Sequence, residues 1–277
     1  MHAASRAAIE KITGPWLKVS ELKGGSIASI SRIDAVNGPY VLKQHKTPPD
    51  GFFASERACL ETLKSAGVPT PEIITAGEDF LLMSYIAPGE VAEAAAGEAL
   101  AHLHNTRSPQ CGFQQDTYLA TFLQPNAPAS AWADFYLDHR LAPMLGRLDL
   151  ESAELNLWRD FGKTVRPHLG KVNEFSLLHG DLWPGNLLYG ETGPVFIDPA
   201  CYFGDGLVDI AMSRLFGGLG EAFYASYFSL LPPREDSELL QQVYQVYPLL
   251  THAVLFGSAY YAQAQSIRDD FLVSRGP

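Results

Sequence analysis

The feature that most restricts this chain is one short run, His179-Gly180-Asp181-Leu182-Trp183-Pro184-Gly185-Asn186, followed after two apolar segments by Ile197-Asp198. The segments Leu187-Leu188-Tyr189 and Val195-Phe196-Ile197 read as strands, and Gly190-Glu191-Thr192-Gly193 between them is a hairpin signal. A hairpin returns the chain to where it left. Asp181, Asn186 and Asp198 are therefore expected to converge, two from the turn that enters the hairpin and one from the strand that leaves it.

The spacing from Asp181 to Asn186 is that of the H-R-D-x-x-x-x-N loop of protein kinases, in which the Asp takes the proton of an acceptor hydroxyl and the Asn holds magnesium. Asp198 then stands where a second metal-binding carboxylate is needed. Transfer of a γ-phosphoryl group requires an acceptor held in line and cations that neutralise the phosphate oxygens. Hard oxygen donors on a short, stiff hairpin suit Mg²⁺. Any one of these residues alone is equally well a turn cap; together they point to ATP, Mg²⁺ and phosphoryl transfer.

Upstream, Ser26 to Val36, Tyr40 to Lys43 and Phe80 to Ile86 read as strands, with Asn37-Gly38-Pro39 as a turn. A helix is expected from Phe52 to Ala66, stopped by Gly67 before Pro69. Gly24, Gly25 and Ser26 sit between the first strands, where backbone N–H groups can approach phosphate oxygens; a plain hairpin turn uses the same residues. Lys43 ends an apolar strand and Glu56 lies on the next helix, the arrangement in which a carboxylate holds a lysine against the α- and β-phosphates. Without the downstream loop, a solvated lysine and a surface carboxylate would be the simpler reading. Backbone groups near Met83 and Tyr85 are expected to receive adenine.

The chain has 277 residues, and the turn Pro88-Gly89 divides it into an expected nucleotide-binding lobe, 1–87, and a mainly helical catalytic and acceptor-binding lobe, 88–277. Helices are expected around 91–104, 131–144, 151–169, 208–216 and 239–265. Asp209 is read as a brace for the catalytic loop, and Asp205 as an acceptor at a helix start. His102 and His104 point to different helical faces, which disfavours chelation. Cys201, Trp132, Phe135 and Tyr202 read as core.

A formal net charge of −11 and the absence of any Lys/Arg block argue against nucleic acid or an anionic membrane as partner. Three widely spaced cysteines give neither a disulfide framework nor a zinc site, so a cytoplasmic location is expected. The N-terminal segment does not read as a signal peptide, and no apolar stretch approaches the roughly 20 residues of a spanning helix.

These residues give the chain a close resemblance to the fructosamine/ketosamine-3-kinase family, within the aminoglycoside-phosphotransferase-like kinases, from about Lys11 to Phe271. The family's HGDLW-x-GN loop appears as His179 to Asn186, its IDPA as Ile197 to Ala200, and its DxAMxxLFGG as Asp209 to Gly218. Gly97 to His104, Tyr118 with Gln124-Pro125-Asn126, and Tyr244 to Leu250 also match family segments. Trp183 separates this pattern from related aminoglycoside kinases. Two departures stand out: Pro184 replaces a family Ser beside the acceptor, and Ser84 replaces an acidic residue of the linker strand.

The resemblance implies a two-lobed, protein-kinase-like α+β fold, with a small antiparallel-sheet lobe and a larger α lobe. It also implies an ATP-dependent kinase acting on the 3-hydroxyl of a free or protein-bound ketosamine, whose phosphorylated adduct breaks down to release the amine. An aminoglycoside- or choline-type hydroxyl kinase is the nearest alternative, and a nucleotide-binding pseudokinase a more distant one. Only eleven positions separate Asp198 from Asp209, too few for a long phosphorylated activation segment. The sugar, the carrier of the amine and the oligomeric state are not legible in the sequence.

Overall fold

The computed structural model describes residues 3–22 and 27–275. Its first part is a helix, α1 (Ala3–Thr13), and a five-stranded antiparallel sheet of order β1-β2-β3-β5-β4. The strands are β1 (Trp16–Glu21), β2 (Ser29–Ala35), β3 (Gly38–Gln44), β4 (Ile73–Ala76) and β5 (Phe80–Ser84), and α2 (Phe52–Ser65) lies between β3 and β4. α1 was not expected from its Ala-rich sequence. It covers one sheet face, where Ile9 packs with Ile33, Ala35, Leu42, Phe80 and Leu82.

Side chains alternate along a strand, so the neighbours of these residues point the other way. There Leu81 and Met83 pack with Phe52, Phe53 and Leu60, and with the half-buried Val41. The unbroken apolar run of β5 is thus explained by cover on both faces. The register Val41↔Met83 and Lys43↔Leu81 puts Lys43 on the α2 side. α2 ends as expected: Gly67 at φ 81° follows it, with Gly67 N–H donating to Lys64 O and Val68 N–H to Leu63 O, each at 3.0 Å.

β5 ends at Ser84, two residues earlier than its apolar pattern suggested, and a connection leads to the helical part. This contains α3 (Glu93–His104), β6 (Arg107–Ser108), the hairpin β7 (Thr117–Leu119) and β8 (Phe122–Gln124), and α4 (Trp132–Tyr136). A π-helical turn, Leu137–Leu141, joins α4 to α5 (Ala142–Leu145), and α6 (Ser152–Leu169) follows. β9 (Phe175–Leu178) leads into the segment from His179 to Asn186. The hairpin β10 (Leu187–Gly190) and β11 (Gly193–Phe196) comes next, then β12 (Tyr202–Gly204), α7 (Leu207–Leu215), α8 (Glu221–Leu230), α9 (Ser237–Phe256) and α10 (Ser258–Arg275).

The expected helix 239–265 is two helices, because Gly257 at φ 103° breaks it. α8 and the small sheet β12-β9-β6 were not expected. Trp132, Phe135 and Tyr202 lie in the core, at 1% exposure each, as read from the sequence. The connection after β5 is pinned to the β10-β11 hairpin: Gly89 N–H donates to Tyr189 O at 2.8 Å, and a Cβ on Gly89 would run into Gly190 O. Among the described residues no helix is long and apolar enough to cross a membrane.

Candidate active site

β9 delivers the chain to His179, and the turn that follows is held from beneath by one buried carboxylate. Asp209, in the first turn of α7, accepts the N–H of His179 at 2.7 Å and of Gly180 at 2.9 Å. Asp209 is itself fully buried, and His104 Nε2 lies 3.1 Å from it, with Tyr227 2.8 Å from His104 Nδ1. The brace read for Asp209 is therefore present. The His104 and Tyr227 links behind it carry no local sequence signal, since 105 and 123 residues separate the partners.

Gly180 takes φ 83°, and a Cβ there would collide with Ala200 O, so glycine alone fits the turn. Burial draws the His179 imidazole below its usual range, which keeps it neutral. Nε2–H then donates to Ile197 O at 3.0 Å, leaving Nδ1 to accept Asp181 N–H at 3.3 Å. Ala200 N–H donates to His179 O at 2.8 Å, tying the loop to the strand that carries Asp198.

Asn186 donates Nδ2–H to Asp181 O at 2.8 Å and to Asp181 Oδ2 at 3.1 Å. Its Oδ1 has no protein partner among the described residues. Trp183, 37% exposed, lies across Gly185, where a Cβ would strike the indole. Asp181 is half-buried, and its carboxyl is pushed well above the usual range, first by desolvation and then by the charge of Asp198.

From the sheet, Lys43 Nζ lies 2.8 Å from Glu56 Oε1 and 2.9 Å from Asp198 Oδ1. Burial draws the ammonium down, but the two carboxylates outweigh it and the net shift is upward. Burial pushes Glu56 up, and Lys43 only partly offsets this, because one cation serves two acids. Lys43 is charged, since the carboxylates at 2.8 Å and 2.9 Å stabilise the ammonium over the neutral amine. Asp198 holds its carboxylate there from a left-handed backbone, φ 55°, unusual for a residue with a side chain.

The structure thus brings Lys43, Glu56, Asp181, Asn186 and Asp198 together. Met83 is buried in the sheet between Val41 and Ile73, and the backbone leaves the sheet at Ser84. Ser84 pairs with Glu72 through both its N–H and its hydroxyl. Tyr85, beyond the sheet, carries the Arg32 guanidinium 4.2 Å over its ring, a contact the sequence did not suggest. Gly24, Gly25 and Ser26 lie outside the described residues. Cys201 is buried, its N–H 3.2 Å from Cys59 Sγ, and among the described residues no base is hydrogen-bonded to its thiol.

Residues 1–274 match the family model for fructosamine kinase. The chain belongs to the fructosamine kinase family. It is 35% identical over 268 residues to a probable ketoamine kinase of Enterococcus faecium, covering 92% of this chain and 95% of that one. It is 32% identical over 272 residues to the chloroplastic protein-ribulosamine 3-kinase of Arabidopsis thaliana, covering 92% and 82%.

Among solved structures, a candidate fructosamine-3-kinase of Thermobifida fusca matches with a TM-score of 0.87 at 28% identity, over 96% of this chain and 98% of that one. Aminoglycoside phosphotransferase APH(4)-Ia, solved with ADP and hygromycin B, shares the fold, at 17% identity and a TM-score of 0.66 over 100% of both chains. This fructosamine kinase family member has the protein-kinase-like α+β fold and is a phosphotransferase acting on an alcohol group.

Proposed function

We propose that this protein transfers the γ-phosphoryl group of ATP to the 3-hydroxyl of a ketosamine, a sugar joined to an amine as a fructosamine or ribulosamine. The observation that carries the reading is the convergence of Asp181, Asn186 and Asp198 opposite Lys43. Asp181 accepts the hydroxyl proton as the O3–P bond forms and the bond to the ADP oxygen breaks. Asn186, by donating to Oδ2, orients that carboxylate. The raised affinity of Asp181 for a proton moves it toward the range a general base needs near neutral pH. Lys43, held by Glu56, contacts the phosphates. The chain beyond Ser84, at Tyr85, meets the adenine.

The donor set fits magnesium. Glu56, Asp181 and Asp198 oppose one lysine, so the site carries excess negative charge, and Asn186 Oδ1 is free to bind a cation with Asp198. Among the described residues no group of three or more His, Cys, Asp or Glu could hold a metal by itself. That suits an ion which takes one or two protein oxygens and completes its shell with phosphates and water. When bound, magnesium supplies neutralisation of the phosphate charge.

We assign nucleotide binding to residues 1–87 and catalysis and acceptor binding to residues 88–277, with ATP held between the two. Three free, buried cysteines suit a reducing, cytoplasmic setting. An ATP-consumption screen across fructosamines, ribulosamines and aminoglycosides, with magnesium present and withheld, tests the reading. Turnover with a ketosamine, dependent on magnesium, is expected. Turnover with aminoglycosides alone, or with no acceptor, contradicts it.

A further inference from the structure

Tyr227 stands behind the brace of the loop, and beyond it the fold leaves a cavity of about 310 Å³ against α8 and the start of α9. None of Lys43, Glu56, Asp181, Asn186 and Asp198 lines it. Arg107, Lys171 and Arg234 share the lining with only two carboxylates, Glu174 and Asp205, so cations are in excess there, in a chain whose formal net charge is −11. This local reversal of sign favours an anion.

The buried carboxylate of the lining is already satisfied. Asp205 accepts from Arg234 Nη2 and from the Tyr244 hydroxyl, each at 2.8 Å, and from Leu207 N–H at 3.2 Å. The other two cations are not. Among the described residues Arg107 has no carboxylate within ion-pair distance and gives one N–H to Ser176 Oγ at 2.9 Å, and Lys171 has only Asp236, at 3.9 Å.

The deeper lining holds hydroxyls with hydrogens to give. Ser237, 3% exposed, has no partner for its hydroxyl among the described residues, and a buried hydroxyl left unmade is costly. The Ser176 hydroxyl, also buried, accepts from Arg107 and donates to nothing among the described residues. Ser237 is moreover the first residue of α9, a helix of 20 residues at whose start Asp236 makes no side-chain capping bond. The uncapped N–H groups of a long helix add to the pull on an anion. Phe228, Leu231 and Pro232 complete the lining with an apolar wall.

We infer that this cavity binds a small phosphate monoester and that its occupancy is felt at the catalytic loop. Arg107, Lys171 and the hydroxyls of Ser176 and Ser237 hold the phosphate at the start of α9, and the carbon body lies on the apolar wall. Several donors around one point suit a group with three oxygens and nearly two charges better than a carboxylate. The volume is at the small end for a ligand site, which limits the body to a few carbons.

The route to the loop is one of direct contacts. Tyr227, which lines the cavity, lies 2.8 Å from His104 Nδ1, and His104 Nε2 lies 3.1 Å from the Asp209 carboxylate that accepts the N–H groups of His179 and Gly180. Gly206 also lines it, and a Cβ there would meet the His104 ring. A ligand that holds this wall in place slows the opening of the two loop N–H groups.

The test uses the full-length protein with glycerol 3-phosphate, and with inorganic phosphate and glycerol beside it. At about ten times its Kd, glycerol 3-phosphate should raise Tm by roughly 3 °C. Inorganic phosphate should give a smaller rise and glycerol none. The double variant Arg107→Gln, Lys171→Gln should lose the rise, and Ser237→Ala, a small change that serves if the double variant does not fold, should weaken binding about fivefold. Hydrogen exchange in peptides containing His179 and Gly180 should slow about fivefold in the wild type on adding the ester. No rise in Tm, or the same rise in the variants, which would put the phosphate in the nucleotide cleft, overturns the inference. A rise as large with inorganic phosphate overturns the choice of an ester, and binding that leaves loop exchange unchanged overturns the link to the loop. Neither readout needs turnover, so each decides whether or not the kinase reading holds.

Discussion

Lys43 Nζ and Asp198 Oδ1 lie 2.9 Å apart, which joins the five-stranded sheet to the chain leaving the β10-β11 hairpin through one ion pair. With Glu56 on the other side of the ammonium, the cleft is assembled from side chains alone.

Replacing Lys43 by Met leaves Glu56 and Asp198 facing one another without a cation. The variant should lose roughly 2–3 kcal/mol of stability at neutral pH. The deficit should shrink in acid, since burial already favours the protonated form of Glu56. Chemical denaturation at two pH values measures this, and kcat/KM for ATP should fall about a hundredfold.

Asp181→Asn should lower kcat by roughly a thousandfold. It should also raise the melting temperature of the unliganded protein at neutral pH by a few °C, on the order expected for relieving one buried charge. The sign follows from the direction of the shift. The folded-state pKa is above the unfolded one, so the cost to stability is absent below the ordinary carboxylate range, grows between the two pKa values and is full above both. Melting curves of both proteins across pH check this, and the advantage of Asn should vanish in acid.

Asp209→Ala removes the acceptor of two loop N–H groups and the partner of His104. A loss of about 2–4 kcal/mol is expected, with a fall in kcat that added ATP does not restore. Urea denaturation and saturation kinetics separate the two effects.

Gly180→Ala places a methyl group against Ala200 O at a backbone angle that alanine rarely adopts. Destabilisation of about 2–3 kcal/mol is expected. A variant as stable as the parent would show that the loop can shift.

What the sequence made legible is what the chain joins over short distances. Asp181, Asn186 and Asp198 lie on one turn and one hairpin, and the Lys43–Glu56 pair spans one strand-to-helix step. Gly67 stopped α2 because its left-handed angle is a local property. Gly257 broke a helix for the same reason, but the apolar residues on both sides hid it. The contacts that could not be read are those made only by folding. Gln124 meets Tyr247, and His104 meets Tyr227, across 123 positions each. The strand Phe175–Leu178 is buried on both faces, so it lacks the alternation that marks a strand. α1 carries a single fully buried apolar residue, Ile9, among those whose burial is described, which gives no periodic signal.

The most direct test of the central claim is the position of the phosphate in the product. Fructosyl-lysine labelled with ¹³C in the sugar, incubated with the protein and Mg·ATP, should show phosphorus coupling at C3 by NMR. Phosphate on any other carbon, or none at all, would contradict the account.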